Sequence, residues 1–148
     1  MALNLFAIIH FKNITMHFLK TLLHFWKSIL IMFFIMYLSF APPSTFKSVP
    51  TYFDNEDKLV HLLMYFGLTA VLIFDLKSFS KKTNIKKLTF VWFCLVFPII
   101  FGGLVEILQP MYFAPRTADW LDWSADTIGV FVGCLAMVLL KMTPKTID

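Results

Sequence analysis

Charged residues are scarce in this chain of 148 residues, and long apolar runs take their place. Charged side chains make up 15% of the sequence and hydrophobic ones 59%, with 18 phenylalanines, whereas a typical soluble domain is about 25% charged. The mean hydropathy is +0.76. This composition excludes an ordinary soluble domain and predicts an integral membrane protein.

The signature motifs of several common enzyme classes are absent. The sequence contains no G-x-G-x-x-G, P-loop, H-E-x-x-H or C-x-x-C motif, so the usual marks of dinucleotide, nucleoside triphosphate and common zinc chemistry are missing. Cys94 and Cys134 both lie in long apolar runs, where cysteine is typically a small buried hydrophobe rather than half of a disulfide. The net charge of +4 is attributed to membrane topology, and no nucleic-acid partner is expected.

Four apolar runs have the length of membrane spans, at residues 22–41, 59–76, 88–108 and 123–140. Each is close to the roughly 20 residues that cross a bilayer core, and none shows the alternation that a barrel strand needs. No small-residue cleavage site follows the first run, so a cleaved signal peptide is not expected. The predicted fold is an all-α, four-helix transmembrane bundle over residues 22–140, with a kink near Pro98.

The amino-terminal residues 1–21 are apolar in patches but interrupted by charge, which predicts a cytoplasmic or interfacial amphipathic segment. His10, His17 and His24 are seven residues apart and would line one face of a helix. We interpret that face as solvated, because histidines two turns apart cannot share one metal ion.

Lysine and arginine placement predicts the orientation. Ten of the thirteen lie in the amino-terminal segment, in the connection 77–87 and in the tail 141–148, whereas Lys47, Lys58 and Arg116 lie on the opposite side. By the positive-inside rule both termini are then cytoplasmic, and the loops 42–58 and 109–122 face outward.

The fourth span carries acids and glycines on one stripe. Asp119, Asp122, Asp126, Gly129 and Gly133 follow a 3, 4, 3, 4 spacing, which places them on one face of a helix. That face is expected to contact protein, with the glycines allowing close helix approach.

Two other spans present polar faces at the same depth. Glu106 and Gln109 share a face of the third span, and Asp57, His61 and Tyr65 lie four residues apart on the second. Glu106 has no capping position to explain it, and an ionisable residue within a span is typically paired and functional. For Asp57, capping of a helix N-terminus is an equally good explanation.

Asp119 has the same alternative explanation as an N-cap. Arg116 is the only arginine of the chain, and its guanidinium can bind carboxylate or phosphate through two parallel hydrogen bonds. We therefore expect Arg116 to pair with Glu106 or Asp119 in the resting protein.

Three blocks of this sequence resemble the VanZ-like membrane protein family. They are D-K-L-V-H-L-L-M-Y at Asp57–Tyr65, E-I-L-Q at Glu106–Gln109 and R-T-A-D-W-L-D-W-S-A-D-T-I-G-V-F-V-G at Arg116–Gly133. Asp126 stands where the family often has Asn. The resemblance implies a small multi-pass protein of the bacterial cytoplasmic membrane with a cell-envelope role, and the family's namesake is associated with resistance to the glycopeptide teicoplanin.

Two functions stay open from the sequence, and a purely structural polar cluster is a third, less specific alternative. In the first, an outward-facing pocket binds an amphiphilic or lipid-linked ligand, with Lys58 and Arg116 holding its anionic groups. In the second, the protein is a membrane enzyme acting on a phosphate-bearing lipid, with His61, Glu106 or Asp122 in catalysis and a divalent cation held by Asp119, Asp122, Asp126 and Glu106. The predicted pocket residues are Asp57, Lys58, His61, Tyr65, Glu106, Gln109, Arg116, Asp119, Asp122 and Asp126.

Overall fold

The structure, a computed structural model, describes residues 2–42, 45, 55–81, 84–112 and 117–147. The described chain is mostly helical, as predicted. Its helices are α1 (Ala2–His24), α2 (Trp26–Phe40), α3 (Glu56–Ser80), α4 (Lys87–Val91), α5 (Phe97–Tyr112) and α6 (Trp120–Leu139). Two strands of two residues each, β1 (Ile85–Lys86) and β2 (Thr146–Ile147), pair in parallel and were not predicted.

Three helical stretches in the described residues are long and apolar enough to cross a membrane: Glu56–Ser80, Lys87–Tyr112 and Trp120–Leu139. A fourth crossing exists only if His10–His24 and Trp26–Phe40 count as one span, because these two helices meet at a bend of 65°. Alone, α2 has 15 residues, which is about 22 Å of helix against a bilayer core of about 30 Å. The three carboxyl-terminal stretches therefore meet the length requirement on their own.

The break between α1 and α2 has a side-chain cause in α3. Asp75, within α3, accepts a hydrogen bond from the Ser28 backbone amide at 3.3 Å and from the Ser28 hydroxyl at 2.8 Å. The first amides of a helix have no partner within it, and a carboxylate is the preferred acceptor there. Asp75 thus caps α2 from a neighbouring helix, so that α2 begins as a new helix after Phe25.

The third span contains an irregular turn at the predicted kink. A π-helical turn, Trp92–Val96, joins α4 to α5 immediately before Pro98. Proline lacks the backbone donor and its ring crowds the carbonyl group four residues earlier. A single π turn is a common way for a helix to absorb such a disruption.

Polar residues share the buried interior of this protein with apolar ones. Polar residues are among the most buried, including Thr69, Asp75 and Asp126, whereas large apolar side chains cover the outside of the helices. Exposed examples are Leu63, Phe74, Ile100, Leu104, Ile107, Ile128, Phe131 and Leu135. An apolar exterior of this extent is typical of a surface that meets lipid.

The predicted close approach of α6 through its glycines is confirmed. α6 packs against α3 more extensively than any other pair of helices. A methyl group on Gly129 would collide with the carbonyl oxygen of Leu62, and one on Gly133 would come within 2.9 Å of the carbonyl oxygen of Phe66. The two backbones are close enough to bring the first turns of both helices into side-chain contact.

Three lysine-bearing segments meet at one end of the bundle: the α1–α2 junction, the connection after α3 and residues 141–147. We call this the lysine-rich end. Lys27 contacts Asp75 at 3.2 Å, Lys77 donates to the Lys141 carbonyl oxygen at 3.0 Å, and β1 pairs with β2. The segments that share one side in the orientation prediction thus lie together in the structure.

Candidate functional site

At the opposite end of the bundle, Lys58 lies among three carboxylates. Its Nζ is 2.9 Å from Asp57 Oδ2, 3.1 Å from Asp119 Oδ2 and 2.8 Å from Asp122 Oδ1. An ammonium group has three donors, so these contacts occupy all of them. Lys58 therefore joins the start of α3 to the start of α6.

Asp119 combines a capping role with this ion pair. It is the N-cap of α6, and its Oδ1 accepts a hydrogen bond from the Leu121 amide at 2.8 Å. This bond, followed by the one from Lys58, lowers the pKa of Asp119 below its ordinary value of 3.8. Because the folded-state pKa is the lower one, the stabilisation is present above pH 3.8 and is lost only as the pH falls through the folded-state pKa.

A buried pair of polar side chains in hydrogen-bond contact lies one turn deeper. His61 Nδ1 is 2.9 Å from Asp126 Oδ1, and the two side chains are 9% and 1% exposed. Four residues separate Asp122 from Asp126, and three separate Lys58 from His61, so the same two helix faces carry both pairs. The facing stripes of α3 and α6 thus bring basic side chains against acidic ones over their first turns.

Glu106, from α5, enters between these helices. Its Oε2 accepts a hydrogen bond from the Asp119 amide at 3.1 Å, whereas its buried Oε1 has no partner among the described residues. The Tyr65 hydroxyl is also buried without a partner there. A buried polar atom without a hydrogen bond costs about 1 to 3 kcal/mol.

Gly102 lets the Tyr65 ring and Asp126 approach α5. A methyl group on Gly102 would lie 2.9 Å from Asp126 Oδ2 and 3.2 Å from Tyr65 Cε1. The unpartnered Tyr65 hydroxyl therefore belongs to the same region as Asp126.

These contacts define a polar cluster of seven residues: Asp57, Lys58, His61, Glu106, Asp119, Asp122 and Asp126. Within it, one ligand atom from each of His61, Glu106 and Asp122 lies within 4.8 Å of the other two. These are the three residues named as catalytic candidates from the sequence. Imidazole and carboxylate groups at this separation can hold a divalent ion or act on one bound substrate.

No family model, curated protein or solved structure matches this chain. The polar cluster therefore has to be interpreted from its own chemistry.

Three predicted site residues lie apart from this cluster or outside the described chain. Gln109 is 2% exposed and donates from Nε2 to the Ser39 carbonyl oxygen at 3.1 Å, so it ties α5 to the end of α2. Tyr65 lies beneath the cluster, beside Gly102. Arg116 lies outside the described residues, and its predicted pairing with Glu106 or Asp119 stays a prediction.

A second polar group, at the lysine-rich end, was not predicted. Asp75 contacts Lys27 and Ser28, and His24 Nε2 is 3.1 Å from the Asp75 carbonyl oxygen. His24 also contacts the rings of Phe25 and Phe79, so its side chain is not on a freely solvated face. The sequence signal was an acid near the end of an apolar run, and its partners Lys27 and Ser28 lie 48 and 47 residues away, far beyond helical spacing.

Proposed function

We propose that this chain is a VanZ-like, multi-pass protein of the bacterial cytoplasmic membrane, with both termini cytoplasmic. Its polar cluster would face outward and bind an amphiphilic or lipid-linked ligand of the cell envelope. The sequence blocks of the resemblance support this, since Asp57–Tyr65, Glu106–Gln109 and Arg116–Gly133 carry every member of the polar cluster on three different helices.

The observation that carries the proposal is a gradient of exposure through the cluster. Side-chain exposure falls from 59% at Asp57 to 39% at Asp119, 16% at Asp122 and 1% at Asp126. The gradient ends at Glu106, whose Oε1 is buried and meets no hydrogen-bond partner in the described part of the chain. A polar path from the surface to a buried free acceptor is what a binding site for a hydrogen-bond donor requires.

The negative charge of the cluster limits the chemical groups that a ligand can present to it. Lys58 was expected to hold anionic groups, but its three donors are engaged by Asp57, Asp119 and Asp122. A carboxylate-rich surface favours hydroxyl and ammonium donors, such as those of an amino sugar. A phosphate group would be repelled unless a cation lay between it and the carboxylates. A lipid-linked amino sugar and the amine-bearing lipoglycopeptide teicoplanin both present suitable donors on an apolar carrier.

The closeness of His61, Glu106 and Asp122 favours a second candidate function. A divalent ion held there would let the cluster take a phosphate-bearing lipid headgroup and assist hydrolysis or transfer at it. In this reading the same residues serve an enzyme rather than a binding protein.

Native mass spectrometry of the purified protein in detergent tests the first function. The probes are an amino sugar on a phosphate-free lipid carrier and teicoplanin, each measured with and without a metal chelator. Glu106→Gln is expected to lower affinity at least about tenfold, a loss of about 1.4 kcal/mol or more. Ile128→Ala, on the exposed outer side of α6, is the matched control and should bind as wild type does.

The stability of Glu106→Gln distinguishes a ligand-binding site from a cluster that only stabilises the packing of the helices. Glutamine keeps an acceptor for the Asp119 amide and removes a buried charge, so Glu106→Gln should unfold at the wild-type free energy or above it. A purely structural cluster predicts the reverse result, in which Glu106→Gln loses stability and neither probe distinguishes it from wild type.

A further inference from the structure

We propose that His61, Glu106 and Asp122 bind a divalent transition-metal ion, Zn²⁺ in preference to Mg²⁺ or Ca²⁺, at the buried end of the polar cluster. The inference rests on the second candidate function, which uses the same three residues. It adds the identity of the ion through which that site would accept a phosphate-bearing headgroup.

Each of the three residues has one ligand atom left over. His61 uses Nδ1 toward Asp126, which leaves Nε2. Glu106 uses Oε2 toward the Asp119 amide, which leaves Oε1, buried and without a partner among the described residues. Asp122 uses Oδ1 toward Lys58, and no described residue bonds to its Oδ2. The set therefore offers one nitrogen and two oxygens.

The spacing of the set is close to that of a metal site. Ligand atoms bound about 2.0 to 2.1 Å from a tetrahedral ion are roughly 3.4 Å from one another, and here one potential ligand atom of each residue lies within 4.8 Å of one from each of the other two. Glu106 and Asp122 are on different helices, so small side-chain rotations toward the centre close this gap. Three protein ligands leave the fourth position of the ion open, as in catalytic zinc sites.

A hydrogen-bond partner already orients each ligand. Asp126 contacts His61 on the ring nitrogen away from the proposed ion, which is the carboxylate–histidine arrangement that fixes the tautomer of metal-binding imidazoles. The Asp119 amide holds Glu106 and the Lys58 ammonium holds Asp122. Such outer partners are a usual part of metal centres.

The charge balance also favours a cation. The polar cluster contains five acids, Asp57, Glu106, Asp119, Asp122 and Asp126, against one lysine, Lys58, because a metal-binding imidazole is neutral. Carboxylates gathered at one site repel one another unless a cation lies among them. The imidazole decides the kind of cation, because nitrogen ligands suit Zn²⁺ and its first-row neighbours, whereas Mg²⁺ and Ca²⁺ prefer sites made of oxygen alone.

Metal titration of the full chain, in detergent and after treatment with a chelator, tests the proposal with the ions alone. Calorimetry should give one Zn²⁺ per chain, bound more tightly than Mn²⁺ and far more tightly than Mg²⁺.

Asp126→Asn should weaken Zn²⁺ binding roughly tenfold to hundredfold through loss of the orienting partner. Glu106→Gln and Asp122→Asn should each weaken it more. Glu56→Gln, which removes an acid from the same first turn of α3 but lies outside the polar cluster, is the matched control and should leave the affinity unchanged.

A spectrum of the wild-type protein makes the test independent of whether any variant folds. Cu²⁺ or Mn²⁺ at the site should show nitrogen hyperfine coupling in electron paramagnetic resonance, from His61, and the coupling should vanish in His61→Gln. Zn²⁺ binding no tighter than Mg²⁺, an absence of nitrogen coupling, or an equal loss in Glu56→Gln and Glu106→Gln would each overturn the proposal. Probe binding that persists with the chelator would leave the ligand-binding function standing while the metal site fails.

Discussion

At the scale of single residues, Lys58 is the side chain on which the first turns of α3 and α6 depend. Lys58→Gln leaves Asp57, Asp119 and Asp122 facing one another without a cation, and the side chain is only 21% exposed. We expect the free energy of unfolding to fall by about 2 kcal/mol, between the small value of an exposed pair and the 3 to 5 kcal/mol of a fully buried one. Thermal or denaturant unfolding in detergent measures this loss.

A double-mutant cycle shows whether the loss comes from the ion pair. Lys58→Gln combined with Asp122→Asn should be less destabilised than the sum of the two single changes, with a coupling of roughly 0.5 to 3 kcal/mol. Lys20→Gln, at an exposed lysine of α1, is the charge-matched control and should change stability by less than about 0.5 kcal/mol. Strict additivity of the two cluster changes would show that Lys58 and Asp122 do not interact in solution.

The residues of the polar cluster could be predicted from the sequence because helical spacing places them on common faces of their helices. Asp119, Asp122 and Asp126 recur at one face of α6, and Glu106 stands alone in an apolar run. Which side chains pair with one another could not be predicted in the same way. A cation among the acids was expected from Arg116, but Lys58 takes that position among the described residues, because partner choice depends on how α3 is rotated against α6.

At the scale of helices, Gly129 controls the distance between α3 and α6. Gly129→Ala places a methyl group against the Leu62 carbonyl oxygen, which is backbone and cannot rotate away. We expect a loss of about 1 to 3 kcal/mol from overpacking, together with weaker binding at the polar cluster as the helices separate.

Gly67→Ala is the control for that change. Gly67 is also within a helix, but a methyl group there meets nothing within 4 Å, so alanine should be neutral or stabilise by up to about 1 kcal/mol through helix propensity. Unfolding free energies of the two variants, measured side by side, check the prediction. Equal effects would mean that α3 and α6 are not in close contact through Gly129.

The helices themselves were largely predictable, because apolar length and the 3.6-residue period are local properties of the sequence. The break at Phe25 was not, since it depends on Asp75 reaching Ser28 across 47 residues of chain, and no spacing rule covers that distance. The pairing of β1 with β2 has the same origin in the tertiary arrangement. Both features bring lysine-bearing segments together at the lysine-rich end.

At the scale of the whole molecule, the two polar groups lie at opposite ends of α3. Lys58 and Asp75 are 17 residues apart, which corresponds to about 26 Å along a helix and is close to the thickness of a bilayer core. The lysine-rich end gathers the segments that the positive-inside rule assigns to the cytoplasm. The polar cluster is then expected at the outer surface, where a lipid-linked ligand or a glycopeptide would reach it.

Side-specific labelling of this topology tests most directly the claim that the polar cluster faces outward. In protein with Cys94 and Cys134 replaced by alanine, single cysteines are placed at Thr117, beside the cluster, and at Lys145, in the tail; both positions are exposed. A membrane-impermeant maleimide should label Thr117→Cys in intact spheroplasts and Lys145→Cys only after the membrane is opened. Labelling of Lys145→Cys in intact spheroplasts, with Thr117→Cys protected until lysis, would contradict an outward-facing site.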